Sequence, residues 1–572
     1  MTHRDWLLGL AATWVLALAP AFAQAPSVTE VVRPQPVLAR DGMVASQEKL
    51  ATRVGAEILA HGGNAVDAAV AVGFAMAVTH PQAGNLGGGG FMLVHLADRN
   101  ETVAIDYRET APAATTRDVF LDAKGDADPQ KSRDSGLSVG VPGTVAGLAL
   151  ALERYGSGKF SLAELMAPAI RLARDGIPVD DDLADSLARF QPRLVRWPSS
   201  AKIFLKPDGV ALGMGDRLTQ PDLADSLTAI AQNGPRAFYE GPLAEKIVAS
   251  VRDAGGLMTS DDLKSYQPIV RKPVRGSYRG YEIASMPPPS SGGTHLIQIL
   301  NILEGYELRT RDAAALHLMI EAMKPAYADR AEYMGDPATV DVPVEGLIAK
   351  GYAEKLRKAI SPERAASAQD IRPSLRQRQE SPNTTHYSVI DRFGNAVSNT
   401  YTLNFSYGVG LVAEGTGILL NNELDDFAAK PGVPNAYGLV GGDANAPGPG
   451  KRPLSSMTPT ILFRDGRVVM VTGSPGGSRI ITTVLQVITN VIDFRMNLAE
   501  AVAAPRIHHQ WLPDQVAAER SLAPELVQGL EARGHKVVLG PNSGSANSIL
   551  VTPDGIAGAA DPRTRGALAA GP

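Results

Sequence analysis

The character of the chain changes abruptly at Thr384, and this change constrains the fold more than any other feature. Residues 361–383 are polar and rich in Ser, Arg, Gln and Pro, which predicts an exposed connector. Residues 386–390 and 396–402 then read as strands, and the turn-forming residues 391–395 between them predict a β-hairpin. The fold must therefore accept a strand that begins at the end of an exposed segment.

The turn of this hairpin decides which residues face each other. If the turn is centred on Phe393, residue i pairs with residue 786 − i, and Thr384 lies opposite Thr402 because 384 + 402 = 786. Directly opposed residues have Cβ atoms roughly 4.5–5.5 Å apart. We therefore expect a second hydroxyl beside Thr384, although a register error of one residue would remove this contact.

The peptide bond between Asn383 and Thr384 is a candidate cleavage site. Cleavage there would place a hydroxyl and a new α-amine on the same residue. An α-amino group titrates near pH 7.7–8.0, which suits a general base at neutral pH, and threonine paired with its own amine is a known nucleophile. Two threonines at the start of a strand are also explained by β-propensity alone, so the local pattern leaves both interpretations open.

The rest of the chain predicts helices, then strands, then helices again, without an internal repeat. Asn64 is a predicted N-cap. The predicted helices cover residues 45–60, 65–78, 313–327 and 479–494, and residues 143–330 alternate helical stretches with loops. A strand is predicted over residues 91–96, and a second hairpin joins residues 461–463 to 468–472. This arrangement favours an α+β layered fold.

Two glycine-rich segments are candidates for binding sites. Residues 473–479 (GSPGGSR) lie between a predicted strand and a predicted helix, where free N–H groups can bind an anion or stabilise an oxyanion. A tight structural turn explains them as well, and they lack the lysine of GxxxxGK and the spacing of GxGxxG. Residues 87–90 precede a strand, which is the reverse of the dinucleotide-binding order and indicates close backbone packing.

Several charged residues could bind ligands. Arg108, at the end of a predicted strand, could hold a carboxylate through two parallel bonds. Glu423 and Asp426 follow an apolar run. An ordinary surface ion pair and a solvated acidic turn explain these residues equally well on local grounds. His508 and His509 are adjacent, but no nearby Glu or Cys completes a ligand set, so we expect no metal.

Composition excludes several classes of protein. The 572 residues contain no cysteine, which rules out disulfides, thiolate nucleophiles and Cys-based metal sites. The net charge of -5, from 55 basic and 60 acidic residues, argues against nucleic acid binding.

The N-terminus predicts export. Residues 6–19 are apolar and follow Arg4, and small residues at Ala21, Ala23 and Ala25 fit a cleavage site, so residues 1–25 are a predicted signal peptide. The apolar run is shorter than the ~20 residues that span a membrane. We expect a periplasmic or secreted mature chain.

Together these motifs resemble the γ-glutamyltranspeptidase family of N-terminal nucleophile hydrolases. The similarity runs through most of the mature chain, in residues 87–91, 106–112 (DYRETAP), 287–293 (PPPSSGG), 384–388 (TTHYS), 400–404 (TYTLN), 419–427 (LLNNELDDF), 431–442 (PGVPNAYGLVGG), 452–457 (RPLSSM) and 473–479. The resemblance implies an α+β fold with four αββα layers. It also implies self-cleavage between Asn383 and Thr384, into a large chain of residues 26–383 and a small chain of residues 384–572.

The resemblance further implies a reaction without metal or cofactor. Thr384 attacks the γ-carbonyl of glutathione or another γ-glutamyl compound, and water or an acceptor amino acid or peptide resolves the ester. The implied site residues are Thr402, which orients the nucleophile; Gly476 and Gly477, which supply oxyanion N–H groups; Arg108, Ser455 and Ser456, which bind the α-carboxylate; Asn404, Glu423 and Asp426, which bind the α-amine; and Tyr437, in a lid loop.

Two other functions fit parts of the sequence. An acylase specific for glutaryl side chains, as in cephalosporin acylases, shares the fold and the nucleophile, but a glutaryl group has no amine for Glu423 and Asp426 to bind. A periplasmic solute-binding protein would remain one intact polypeptide. A γ-glutamyl group ends in a zwitterion, and Arg108 with Asp426 supplies the matching pair of charges. The transferase is therefore favoured.

Overall fold

The computed structural model describes residues 33–371, 384–430 and 442–572. The predicted signal peptide, the last part of the connector with Asn383, and Tyr437 lie outside the described residues. In the described ranges, no helix combines the length and apolar character needed to cross a membrane. The elements below belong to one compact unit, Gln35–Pro572.

Two antiparallel sheets of seven strands each form the middle of the fold. The first, sheet I, contains the predicted hairpin; its strands in spatial order are Leu568–Ala570, Gly42–Ser46, Thr385–Asp391, Ala396–Thr402, Gly89–Leu96, Glu101–Tyr107 and Ile269–Arg271. The second, sheet II, is ordered Val37–Ala39, Gly555–Ala559, Ser548–Thr552, Arg467–Thr472, Thr460–Arg464, Tyr281–Ser285 and Val274–Tyr278. Smaller sheets pair Ile177–Pro178 with Arg217–Leu218, Val412–Ala413 with Ile418–Leu419, and Val516–Glu519 with Ile507–His508 and Val537–Gly540.

Helices cover the outer faces of both sheets and fill the connections. Over the described ranges the α-helices are Lys49–Ala60, Ala65–Thr79, Pro129–Arg133, Thr144–Tyr155, Leu162–Asp175, Asp181–Leu194, Pro198–Phe204, Pro221–Asn233, Arg236–Tyr239, Pro242–Asp253, Ser260–Ser265, Gly292–Leu303, Ala313–Tyr333, Val344–Leu347, Lys350–Arg357, Arg479–Ile492, Leu498–Ala503 and Pro524–Glu531. Short 3₁₀ turns span Gly136–Ser138, Ala368–Asp370, Glu423–Asp426 and Asp443–Asn445.

Neighbouring residues of sheet I point into different layers, because side chains alternate along a strand. Met43 points toward sheet II, because a Cβ added to Gly558 of that sheet would lie 2.5 Å from the Met43 sulfur. Val44 points the other way, into a second core. The helices of the outer layers are Lys49–Ala60, Ala65–Thr79 and Thr144–Tyr155 against sheet I, and Gly292–Leu303, Arg479–Ile492 and Leu498–Ala503 against sheet II. The predicted four-layer αββα fold is confirmed.

The structure confirms some local predictions and corrects others. Asn64 caps the helix Ala65–Thr79, its side chain accepting from the N–H groups of Val66 and Asp67. The helix predicted from residue 45 begins only at Lys49, because residues 45 and 46 finish a strand that pairs with the central hairpin. Strands also occur where helices and loops were predicted, at Val274–Tyr278 and Tyr281–Ser285. These strands are short and carry charged residues, so their alternation is weak.

Polar side chains join the two sheets beside the start of the hairpin. Ser388 Oγ donates to the carbonyl of Asn547 across the sandwich, at 2.8 Å. The His386 ring lies between the hydroxyls of Thr400 and Ser388, at 2.9 and 3.0 Å. Gly473 leaves room for that ring, since a Cβ there would lie 2.3 Å from His386 Cε1. The hairpin is therefore held across the layers as well as within its sheet.

A buried histidine gives the fold a testable pH dependence. Burial lowers the pKa of His508 to about 3, so its ring stays neutral in the folded chain, bonded to Thr482 at 2.9 Å. The unfolded chain takes up that proton below about pH 6.5. The wild type should therefore lose about 2 kcal/mol more free energy of unfolding between pH 7.5 and pH 5 than His508→Gln. Thermal unfolding of both proteins at the two pH values measures the difference.

The same substitution at His61, which is exposed, is the control. If the wild type and His508→Gln lost the same free energy of unfolding between pH 7.5 and pH 5, the prediction would be wrong, because the buried ring would then take up its proton in the folded state.

Candidate active site

The hairpin register predicted from the sequence is confirmed. Thr385 pairs with Tyr401, and 385 + 401 = 786. Continuing this register by one residue sets Thr384 opposite Thr402, which pairs on its other side with Gly89. Thr384 is only 7% exposed. It thus lies at the end of a central strand, next to a second threonine.

Glycine and asparagine residues hold the backbone around Thr402. A Cβ on Gly88 would lie 2.1 Å from the carbonyl oxygen of Thr402, so only glycine allows this approach. The N–H of Asn404 donates to Thr402 Oγ1 at 2.8 Å, and the Asn404 side chain donates to the carbonyl of Asn422 at 2.8 Å. Asn404 has φ +73°, a conformation that asparagine tolerates better than most residues. Asn404 therefore ties the sharp turn after Thr402 to the backbone of Asn422, which precedes Glu423.

The glycine loop ahead of helix Arg479–Ile492 presents unused N–H groups. Gly476 and Gly477 have φ values of +136° and +56°, which favour glycine. Their carbonyls accept from Arg479 and Ile480 at 3.1 Å, but within the described residues neither of their N–H groups donates a hydrogen bond. Free N–H groups at a helix N-terminus are suited to bind a developing oxyanion.

Arg108 is completely buried and bonded to two carboxylates. Its guanidinium donates to Glu423 and Asp426, and to the carbonyls of Pro453 and Leu454 at 3.1 and 3.2 Å. Glu423 and Asp426 lie on one 3₁₀ turn, which brings both to the same guanidinium. The predicted cation and carboxylates therefore form a single cluster, built from segments more than 300 residues apart.

The cluster contains more carboxylates than Arg108 can neutralise. Burial raises the pKa of Glu423 well above its usual value and also raises that of Asp426, although Arg108 opposes both shifts. Burial likewise raises the pKa of Glu109 to about 7, and a Cβ on Gly89 would lie 2.6 Å from Glu109 Oε2. Glu109 thus joins the surroundings of Thr402, which pairs with Gly89, to the Arg108 cluster. An added cationic group would relieve the mutual repulsion of these carboxylates.

Two serines predicted to bind substrate lie beside a second arginine. Arg330 Nη2 donates to Ser456 Oγ at 3.0 Å, and its Nε donates to Ser291 Oγ at 2.9 Å. Ser455 Oγ accepts from the N–H of Met457 at 3.1 Å. Sequence reasoning missed Arg330, Ser291 and Glu109. The sequence held one signal for two of them: Glu109 lies within the motif of residues 106–112, and Ser291 lies within that of residues 287–293.

A cavity of about 560 Å³ opens beside Thr384, the predicted nucleophile, and its wall also contains Gly476. Arg108, Glu423 and Asp426 are not among its lining residues. The structure therefore separates the predicted site residues into a group that faces this cavity and a buried charged group linked to it through Thr402 and Asn404.

A histidine cluster not expected from the sequence lies away from this site. Ligand atoms of His317, Glu321 and His535 lie within 4.8 Å of one another. Lys324 Nζ already lies 2.6 Å from Glu321 Oε1 and donates to the carbonyl of Ala366. These bonds attach the start of the connector to the fold.

Comparison with known proteins identifies the family of the chain. The γ-glutamyltranspeptidase family profile matches residues 51–571. A glutathione hydrolase proenzyme of Escherichia coli is 54% identical, over 94% of this chain and 93% of the relative. A crystal structure of cephalosporin acylase from Bacillus halodurans matches with TM-score 0.82 and 31% identity, over 97% of this chain and 99% of that one. The Helicobacter pylori γ-glutamyltranspeptidase structure matches with TM-score 0.56 and 45% identity, over 60% of this chain and 96% of that one. The chain belongs to the γ-glutamyltranspeptidase family.

Removing Arg108 should destabilise the fold strongly. Arg108→Met leaves Glu423 and Asp426 buried without their cation, which typically costs 3–5 kcal/mol. The loss of free energy of unfolding should be smaller at pH 5 than at pH 7.5. The buried carboxylates, whose pKa values are raised, take up protons at less cost in free energy at the lower pH. Thermal unfolding at both pH values measures it.

Arg117→Met is the matched control, since Arg117 pairs with Asp443 at the exposed surface and contributes little. An Arg108→Met protein as stable as this control would contradict the account of the charged cluster.

Proposed function

We propose that Thr384 is the nucleophile of an autoprocessing γ-glutamyltransferase and glutathione hydrolase. The observation that carries this proposal is the register of the hairpin, which sets Thr384 at the end of a buried central strand opposite Thr402. Membership of the γ-glutamyltranspeptidase family supports the reaction class. The name of the Escherichia coli relative supports glutathione as a substrate.

In the proposed cleavage step, the hydroxyl of Thr384 attacks the carbonyl carbon of Asn383. The C–N bond of the peptide breaks as an ester forms, and the nitrogen becomes the free α-amine of Thr384. Water then hydrolyses the ester, which yields a large chain of residues 26–383 and a small chain of residues 384–572. The Thr402 hydroxyl beside the nucleophile orients it for both steps.

In the proposed catalytic cycle, the α-amine of Thr384 takes the proton from its own hydroxyl. The oxygen attacks the γ-carbonyl, and the unused N–H groups of Gly476 and Gly477 support the oxyanion. The proton passes to the leaving amine, and the γ-glutamyl group stays on Thr384 as an ester. Water hydrolyses this ester, or the amine of an acceptor amino acid or peptide attacks it. No metal or cofactor is required.

The buried charged cluster supports recognition of the γ-glutamyl zwitterion. We assign the α-carboxylate to Arg108, Ser455 and Ser456, with Arg330 as a further cation beside them. We assign the α-amine to Asn404, Glu423 and Asp426. The excess of carboxylates around Arg108 favours a ligand that carries an ammonium group, and a glutaryl group has none. Tyr437 lies outside the described residues and remains a predicted lid residue.

The cell compartment and the assembly are also part of the proposal. Removal of the predicted signal peptide, residues 1–25, would release a periplasmic or secreted protein. The two chains produced by cleavage would stay together as a heterodimer, because strands of both pair with each other within sheet I. The strand Thr385–Asp391 of the small chain pairs with Gly42–Ser46 of the large chain.

Substitution of the nucleophile tests both cleavage and catalysis. Thr384→Ala should remain one polypeptide on a denaturing gel and should release no p-nitroaniline from γ-glutamyl-p-nitroanilide, because the attacking hydroxyl is gone. Thr384→Ser should cleave and retain activity.

The wild type should hydrolyse the γ-glutamyl anilide at least tenfold faster than the glutaryl anilide, since only the former carries the amine that Asp426 and Glu423 bind.

The neighbouring Thr385 provides a matched control. Its hydroxyl is buried and has no hydrogen-bond partner in the described part of the chain, so Thr385→Ala should still be cleaved. Cleavage of Thr384→Ala would remove the nucleophile assignment. A clear preference of the wild type for the glutaryl anilide would make the protein an acylase of the glutaryl type.

A further inference from the structure

The cavity beside Thr384 is distinct from the charged cluster that we assign to the γ-glutamyl group. Its wall contains Thr384 and Gly476, the proposed nucleophile and one oxyanion donor. It also contains residues 541–545 and 563–565 from the end of the chain. A cavity of about 560 Å³ next to the reacting atoms is large enough for an amino acid or a short peptide.

One face of a single helix forms a wall of this cavity. The helix is Asp181–Leu194, and the lining residues on it are Asp182, Asp185, Ser186, Arg189 and Phe190. Their spacing of three and four residues puts them on the same side of the helix. The helix therefore presents a mostly polar surface, with charges of both signs beside the Phe190 ring, to the cavity next to Thr384.

The arginines of this cavity are not equivalent. Arg563 is bonded to Glu519 at 2.6 Å, and Arg565 is bonded to Asp185. Arg189 is exposed, and among the described residues it forms no ion pair; its guanidinium lies over the Phe190 ring, 5.9 Å from the centroid. Arg189 is thus the cation of this wall that is available to an incoming anion.

The chemistry of the ester indicates which ligand should occupy the cavity. When the ester forms, the C–N bond to the leaving amine breaks and that amine takes the proton from Thr384. When an acceptor amine attacks the ester, a C–N bond forms, the C–O bond to Thr384 breaks, and the amine proton returns to Thr384. One step is the reverse of the other. The leaving amine and the acceptor amine must therefore occupy the same place.

We propose that this cavity binds the amine component of the reaction, which is an amino acid or short peptide ending in a carboxylate, and that Arg189 binds that carboxylate. The proposal rests on the proposed function of Thr384. The amine end of the ligand lies at Thr384 and Gly476, and the carboxylate end lies at the helix wall. A guanidinium–carboxylate pair is a strong charge-assisted contact and suits this recognition.

The test compares ligands that differ only in the terminal carboxylate. The donors are glutathione and its glycinamide form, measured by hydrolysis. The acceptors are glycylglycine and glycylglycinamide, measured with γ-glutamyl-p-nitroanilide as donor. Arg189→Gln should raise the KM for each free acid about tenfold and that for each amide less than twofold, because only the acid loses a charge-assisted bond. Arg189→Lys should recover part of the preference for the acids.

Arg171→Gln is the matched control, because Arg171 is an exposed arginine on the neighbouring helix Leu162–Asp175 and does not line the cavity. Equal changes in KM for acid and amide in Arg189→Gln would overturn the proposal, and so would no change in either.

Failure of the proposed function gives a different result: the wild type would then turn over no γ-glutamyl donor, including the anilide, whose leaving group has no carboxylate.

Discussion

The hydrogen bonds along the strand Thr385–Asp391 are the interaction on which the rest of the structure depends. This strand pairs with Gly42–Ser46 on one side and with Ala396–Thr402 on the other, so it is held along both edges. Ser388 adds a bond across the sandwich. A break in the chain before Thr384 would leave all of these contacts in place. The fold can therefore offer a free chain end that is also rigid, which a preorganised nucleophile requires.

The buried charged cluster lowers the stability of the fold, whereas the hydrogen bonds of the strand raise it. Burial places Arg108 together with three carboxyl groups, those of Glu109, Glu423 and Asp426, in the interior of the fold. Such groups are costly to bury and contribute little net stability. These carboxyl groups, whose pKa values are raised, lie near the proposed nucleophile. A zwitterionic ligand bound there would bring an ammonium group to them. The stability of the surrounding sandwich makes this arrangement tolerable.

How much could be predicted from the sequence depended on the distance between the interacting residues. The hairpin register followed from a short turn at Phe393, and the N-cap at Asn64 followed from local chemistry. The contact of Arg108 with Glu423 could not be derived from local pattern, because these residues are 315 positions apart; only the family resemblance placed both in one site. Arg189 and Arg330 gave no local signal, since each is one charged residue on a helix until the fold supplies its neighbours. The strand at residues 42–46 was partly missed because its alanine and serine also suit a helix.

The most direct test of this account is the identity of the first residue of the small chain in the mature, active protein. N-terminal sequencing with intact-mass measurement of purified protein determines it. The account predicts a fragment of 189 residues (572 − 384 + 1) that begins with Thr384 and carries a free α-amine. Full activity in a protein whose chain is continuous through Asn383 and Thr384 would contradict it.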